Sequence, residues 1–183
     1  MICKFHASWV KAFAAALIES FQGNLQPDGY GVYGALAQDR PGLKAMGCWS
    51  QGRRKFVEAL EEWLAAAVEL VTDIRKLYLI EGYARDDRLD AGPGLRQKKA
   101  APILAGAEAA AGGTAGGCLP QSPLGTAIRY TLAEWEPLTW SLEDGRLEID
   151  NNLTENTIRP SAVEEKNRLF IGHPQAGWRS AVI

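Results

Sequence analysis

Apolar residues recur at steps of three and four from Arg53 to Tyr83, which predicts a long amphipathic helix. The short apolar stretch from Ala12 to Ile18, with Lys11 before it and Glu19 after it, predicts another amphipathic helix. A further helix is expected to start at Ser122, because serine followed by proline is a favourable helix start. The chain is therefore predicted to be rich in helix.

Two short segments have the pattern of strands. Residues 25–30 fit a short strand that ends in a turn at Asp28-Gly29. Residues 43–49, LKAMGCW, are apolar and follow Pro41-Gly42, which suits a buried strand. We expect Cys48 and Trp49 to be core residues, since no histidine or acidic residue adjoins them. The expected fold class is α/β, dominated by helices.

Glycine, proline and alanine divide the middle of the chain. Gly92-Pro93-Gly94 is expected to break the long helix, with a second helix starting near Leu95. Residues 100–117 are almost all alanine and glycine, so they offer few large side chains to bury. We expect that portion to pack poorly.

Composition excludes several classes of protein. With 20 basic and 22 acidic residues the net charge is −2, which argues against a dedicated nucleic-acid-binding module and leaves only local basic patches. Three distant cysteines and two histidines support neither a disulfide framework nor a zinc site. No apolar run reaches membrane-spanning length, so a cytoplasmic protein without membrane contact is expected.

The residues that could carry chemistry are concentrated near the end of the chain. On a helix starting near Asn151, the side chains of Asn152, Glu155 and Arg159 would share one face. A carboxylate between an amide and a guanidinium could bind a metal beside a phosphate. The alternative is a helix cap with a Glu-Arg surface pair, worth a few tenths of a kcal/mol.

Several motifs carry a resemblance to a known family. The stretch DGRLEIDNNLTENTIRP followed by EEKNRLFIG closely resembles the signature DGRLEIDNNxxERxLRPxxxGRKNxLFxG of the insertion sequence 66 family of transposases. Upstream, LQPDGYGVYGAL and GCWSQGRRKFVEAL look like that family's Asp-Gly-Tyr and Gly-Cys-Trp segments. The resemblance covers most of residues 22–181.

The resemblance implies a ribonuclease-H-like fold in which two aspartates and a glutamate bind two Mg²⁺ ions for DNA strand cleavage and transfer. It makes Asp28 the second aspartate and Glu155 the glutamate, both as catalytic residues and as metal ligands. Residues 1–52 and 143–183 would belong to a partial ribonuclease-H-like core. Residues 53–142 would form an all-helical insertion between the two carboxylates.

Basic residues near these motifs are candidates for contact with DNA phosphates, although scattered basic residues are more often only surface. The candidates are Arg53, Arg54, Lys55, Arg159, Lys166, Asn167 and Arg168. A weaker cluster is Arg96, Lys98 and Lys99. The implied partners are transposon-end and target DNA, and full-length transposase or a second copy of the chain.

The sequence departs from the family pattern in one important respect. Glu19 is the only acidic residue before Asp28, so the first aspartate of the triad is missing. We therefore expect a transposase fragment that is inactive alone. The alternatives are a non-catalytic remnant of a decayed mobile element that binds DNA or transposase, and an unrelated helical interaction protein.

Overall fold

The computed structural model describes residues 11–27, 31–62, 65–85, 92–157 and 159. The chain divides into two compact units. The first comprises Met1–Asn24, Tyr30–Lys44 and Asn152–Ile183, and the second comprises Leu25–Gly29 and Ala45–Asn151. None of the described helices is both long enough and apolar enough to cross a membrane.

The first unit contains helices α1 (Lys11–Leu17) and α2 (Gly31–Gln38) and the helix of residues 152–157, here α9. Arg40 stabilises the segment that follows α1. Its guanidinium donates hydrogen bonds of 2.8, 2.7 and 2.9 Å to the carbonyl oxygens of Ile18, Glu19 and Phe21. A cation that binds the carbonyl groups after the last turn offsets the partial negative charge of a helix C-terminus.

Helices make up most of the second unit. In chain order they are α3 (Trp49–Ala59), a 3₁₀ turn (Leu60–Glu62), α4 (Ala65–Arg85), α5 (Gly92–Leu95), a π-helical turn (Arg96–Ala100), α6 (Ala101–Ala115), α7 (Pro123–Ala133), α8 (Trp135–Thr139) and a 3₁₀ turn (Trp140–Leu142). The start of α7 is as predicted, because Ser122 Oγ accepts a 3.0 Å bond from the amide of Gly125.

The core of this unit lies where α3, α4, α6 and α7 pack together. Its largest fully buried apolar side chains are Trp49, Phe56, Ile74, Leu124, Ile128 and Leu138. The indole of Trp49 meets that of Trp135 edge to face, with ring centroids 6.0 Å apart, and its Nε1 donates to the carbonyl of Leu138 at 3.0 Å. Burial of Cys48 and Trp49 confirms that both are core residues.

The strands of the described residues form one parallel pair, β1 (Gly23–Leu25) and β2 (Leu43–Ala45). The amide of Gly23 donates to the carbonyl of Gly42, and that of Met46 to the carbonyl of Leu25, both at 2.7 Å. The second strand ends at Ala45, earlier than predicted, and Trp49 belongs to α3. The helix-dominated α/β class is confirmed.

The prediction of one helix from Arg53 to Tyr83 is wrong in detail. The first helix ends at Ala59 and passes into a 3₁₀ turn, and α4 begins at Ala65, with residues 63–64 outside the described part. Both helices bury one apolar face, so apolar residues recur at steps of three and four in α3 and again in α4. Periodicity alone therefore does not reveal the interruption between the two helices.

The Ala/Gly stretch also differs from expectation. It forms helix α6, in which Leu104, Ala107 and Ala111 are at most 4% exposed and belong to the core. Small side chains bring helix backbones close together, so burial here needs no large residue. Gly92-Pro93-Gly94 is itself helical, in α5, rather than the break that the sequence predicts.

Candidate functional site

The helix predicted to carry the candidate glutamate is present. Residues 152–157 are helical, one position later than expected, and Thr157 Oγ1 donates to the carbonyl of Leu153 at 2.7 Å. Glu155 is half-buried, whereas Asn152 and Arg159 are exposed. Asn152 and Glu155 are three positions apart in this helix, so they share one of its faces.

The remaining members of the predicted site lie outside the described residues. They are Asp28, Lys166, Asn167 and Arg168. The distance between Asp28 and Glu155 is thus not part of the structure described, and their pairing stays a prediction. Within the described ranges, no group of three or more histidine, cysteine, aspartate or glutamate side chains could hold a metal ion.

The segment that precedes α9 is held by the start of α3. Cys48 Sγ donates to Asn151 Oδ1 at 3.0 Å, and both residues are at most 5% exposed. Ser50 Oγ lies 2.9 Å from the same sulfur. Because the single thiol proton is already donated to Asn151, Ser50 is the donor in its contact with Cys48. The amide of Trp49 also donates to the carbonyl of Ile149 at 3.0 Å.

Two more contacts fix the same segment one residue earlier, at Glu148. Its carbonyl accepts a 2.9 Å bond from Gln26 Nε2. Its carboxylate accepts a 2.9 Å bond from Arg85 Nη2. Residues 148–151, which we call the anchored segment, therefore bind three separate parts of the second unit through both backbone and side chains.

Tyr78 of α4 adds a buried polar group beside the anchored segment. Burial is the main cause that raises the pKa of the phenol far above its ordinary range. A hydrogen bond to Asp150 and the negative charge of Asp150 raise it further, so Tyr78 stays protonated. Asp150 itself is buried, at 4% exposed.

The predicted DNA-contacting cluster on α3 is only partly exposed. Arg53 and Arg54 are exposed, whereas Lys55 is half-buried with its Nζ 5.1 Å from the centroid of the Tyr130 ring. A cation at that distance from an aromatic face is held by the ring. Arg53 and Arg54 thus offer guanidinium groups to an external phosphate more readily than Lys55 offers its ammonium.

Arg96 belongs to the weaker of the predicted phosphate-contacting clusters, and the structure gives it another role. It is 2% exposed, and its guanidinium donates to both carboxylate oxygens of Glu81, at 3.0 and 2.7 Å. Its Nη1 also donates to the carbonyls of Ser141 and Asp144 at 3.2 Å. Arg96 therefore forms a buried structural ion pair with Glu81, and a side chain so enclosed does not contact DNA.

The polar contacts of Cys48, Tyr78 and Asp150 are what sequence reasoning missed. Tyr78 sits at an apolar position of a helix, where it reads as core, and Asp150 reads as a helix cap. The available signal was that Cys48 lies in the GCW motif and Asp150 in the DNN motif, both of which resemble family segments. Which polar groups meet depends on packing between residues about 100 positions apart.

What this arrangement can do chemically rests on Glu155. Glu155 is partly exposed, and carboxylate oxygens are hard ligands of the type that Mg²⁺ prefers. Buried Asp150 and Asn151 are engaged within the protein. The Glu155 carboxylate thus suits a divalent cation by its chemistry, although it belongs to no group of three or more histidine, cysteine, aspartate or glutamate side chains within the described residues that could hold one.

Comparison with known proteins adds a family match. The model of the family described as "Transposase IS66 family" matches residues 1–179. The match begins at residue 1, so it extends the resemblance seen in residues 22–181 to the N-terminal segment.

Two curated relatives come from Sinorhizobium fredii (strain NBRC 101917 / NGR234). Uncharacterized protein y4jD is 34% identical over 172 residues, covering 91% of this chain and 34% of the relative. Uncharacterized protein y4qI is 34% identical over 173 residues, covering 91% of this chain and 32% of the relative.

The chain spans about a third of the length of these curated relatives. No solved structure matches the chain. The motifs, the helix that bears Glu155 and the match over nearly all residues agree with one another, and the chain belongs to the IS66 family of transposases.

Proposed function

We propose that these 183 residues form the later part of the catalytic region of a DNA transposase. Asp28 and Glu155 supply the second aspartate and the glutamate of its metal-binding triad. The observation that carries the proposal is the partly exposed Glu155 on a helix at the predicted position, in a chain that matches the family over residues 1–179.

Bound Mg²⁺ ions would activate a water or a 3′-hydroxyl for attack on a DNA phosphate and stabilise the charge that develops there. The contribution of this chain is to present Glu155, and Asp28 by proposal, as oxygen ligands. Exposed Arg53, Arg54 and Arg159 and the basic residues Lys166 and Arg168 are proposed to bind the DNA backbone. Asn167 is proposed to contact it as a neutral donor.

The fold that we propose around this site is ribonuclease-H-like. The parallel pair β1 and β2 supports it, because parallel strands joined through a helix are typical of α/β sheets. Residues 1–52 and 143–183 are proposed to belong to that core and residues 53–142 to a helical insertion. The helices α3 to α8 support the second assignment.

The printed sequence has no aspartate before Asp28, so we propose that the first aspartate is supplied from outside these residues. Two carboxylates hold a pair of metal ions less well than three, and misplaced ions lose the geometry on which catalysis depends. The isolated 183 residues are therefore proposed to be inactive in strand transfer. DNA, together with a full-length transposase or a second copy, is the proposed partner.

Mn²⁺ titration of the purified chain tests the assignment of Glu155. We expect weak, saturable binding that Glu155→Gln reduces at least tenfold and that Glu69→Gln, at an exposed position of α4, leaves unchanged. Asp28→Asn should act like Glu155→Gln. Equal Mn²⁺ binding in the wild-type chain and the Glu155→Gln variant would rule out the assignment.

Incubation of the same proteins with transposon-end DNA tests the second part of the proposal. We expect no nicking by the isolated chain with either Mg²⁺ or Mn²⁺. Metal-dependent nicking that Glu155→Ala abolishes would show instead that the 183 residues are catalytically complete. Retained DNA binding without any metal binding would favour the alternative, a non-catalytic DNA-binding remnant.

A further inference from the structure

The thiol of Cys48 has a role that the proposed chemistry does not use. It is 2% exposed and joins two segments about 100 residues apart through its hydrogen bond to Asn151. Ser50 donates to the same sulfur, so the thiol is both donor and acceptor in a buried network. Such networks hold backbone segments in one arrangement, because breaking them leaves polar atoms buried without partners.

The anchored segment, residues 148–151, is where this network acts. Trp49 binds the carbonyl of Ile149, and Gln26 and Arg85 bind Glu148. The side chain of Asn151 is the last of these contacts before the chain enters α9 at residue 152. Glu155 follows Asn151 by four residues, so the segment that leads to Glu155 begins at a residue held by a buried hydrogen bond.

We propose that Cys48 is a positioning residue: by binding Asn151 it fixes the end of the anchored segment, from which the chain runs directly into the helix that bears Glu155. The inference rests on the function proposed for Glu155. Cys48 touches neither metal nor DNA in this proposal, and its thiol undergoes no reaction. Its effect on metal binding is transmitted along the backbone of residues 151–155.

Removing the thiol leaves Asn151 Oδ1 buried without this donor, a loss comparable to that of a buried hydrogen bond. A serine at position 48 keeps a donor and an acceptor, and so preserves the network. Cys118, a partly buried free cysteine, provides a matched control. Asn151→Leu removes the acceptor instead of the donor, which tests the same bond from its other end with a side chain of the same branching.

Amide hydrogen exchange of the full chain is the direct test. Cys48→Ala and Asn151→Leu should each speed exchange of residues 149–157 about tenfold, the effect of one buried hydrogen bond. Cys48→Ser and Cys118→Ala should exchange like the wild type. Exchange in α6 serves as an internal reference, because a purely local effect leaves it unchanged.

Unchanged exchange in Cys48→Ala, or an equal increase in α6, would overturn the proposal. So would a Cys48→Ser variant as impaired as Cys48→Ala. Mn²⁺ titration supplies a second readout, in which Cys48→Ala should weaken binding several-fold and Cys48→Ser should restore it. If Glu155→Gln leaves Mn²⁺ binding intact, the proposed function fails, and hydrogen exchange still decides whether Cys48 holds the anchored segment.

Discussion

Arg96 and Glu81 form a bidentate ion pair in which both side chains are only 2% exposed. Glu81 lies on α4 and Arg96 in the π-helical turn before α6, so the pair joins these two elements through residues 15 positions apart in sequence. The same guanidinium holds the carbonyls of Ser141 and Asp144. One buried cation thus connects three parts of the second unit.

Arg96→Met should destabilise the chain by about 3–5 kcal/mol, because it leaves the Glu81 carboxylate buried without its partner. The double variant Arg96→Met/Glu81→Leu should recover most of that loss, since it removes the unpaired charge as well. The free energy of unfolding in urea measures both effects. As a control, Lys76→Ala breaks the exposed pair with Asp73 and should cost less than about 1 kcal/mol. A similar cost for Arg96→Met and Lys76→Ala would contradict the prediction.

Asp144 should titrate at unusually low pH. Hydrogen bonds from the side chain and the backbone amide of Arg146 lower its pKa from the ordinary 3.8 to about 2. A carboxylate with a depressed pKa stabilises the folded state above its ordinary pKa, and that contribution disappears as the pH falls from about 4 to 2. The effect on stability should be small, because the Arg146 side chain is 75% exposed.

Carboxyl chemical shifts followed by NMR between pH 1.5 and 6 check this value. Arg146→Ala should return the pKa of Asp144 towards 3.8, and Arg129→Ala, which removes an exposed arginine on α7, should not change it. An unchanged pKa in Arg146→Ala would show that another group holds the carboxylate in its charged form.

Two helical glycines should respond in opposite ways to alanine. A Cβ at Gly125 would collide with the carbonyl oxygen of Leu119, a backbone atom that cannot move away easily. At Gly106, on α6, a Cβ would meet no atom within 4 Å. Gly125→Ala should therefore destabilise the chain by at least 1–3 kcal/mol, whereas Gly106→Ala should stabilise it by roughly 0.5–1 kcal/mol.

Thermal unfolding of the two glycine variants would show the difference as a lower midpoint for Gly125→Ala and a higher one for Gly106→Ala. Destabilisation by Gly106→Ala would mean that this face of α6 is not open. A neutral Gly125→Ala would mean that the Leu119 carbonyl is free to shift.

If Arg53 and Arg54 bind DNA phosphates, their loss should weaken binding to all sequences alike. Each alanine substitution should reduce the dependence of log affinity on log salt concentration by about one unit. Arg75→Ala, at an exposed position of α4, is the matched control and should leave the slope unchanged. Fluorescence anisotropy with duplex DNA at several salt concentrations measures the slope. An effect of Arg75→Ala equal to those of Arg53→Ala and Arg54→Ala would indicate only nonspecific attraction.

The sequence by itself determined the local features of this protein. Ser122-Pro123 predicts a helix start because the cap is formed by residues close to it in the chain. Glu155 could be assigned to a helix because the helical pattern around it is also local. The family was evident for the same reason, since the DNN and GCW motifs are contiguous in sequence. The pairing of Asp28 with Glu155 stays a prediction.

Only the tertiary structure decided which side chains meet across long separations. Arg96 reads as one of three basic residues in a row of polar positions, yet packing encloses it against Glu81. Small alanines are buried in the core by α6, because close helix approach compensates for their size. Cys48 finds Asn151 across 103 positions. Such contacts depend on how helices pack in three dimensions, which periodicity along the chain does not encode.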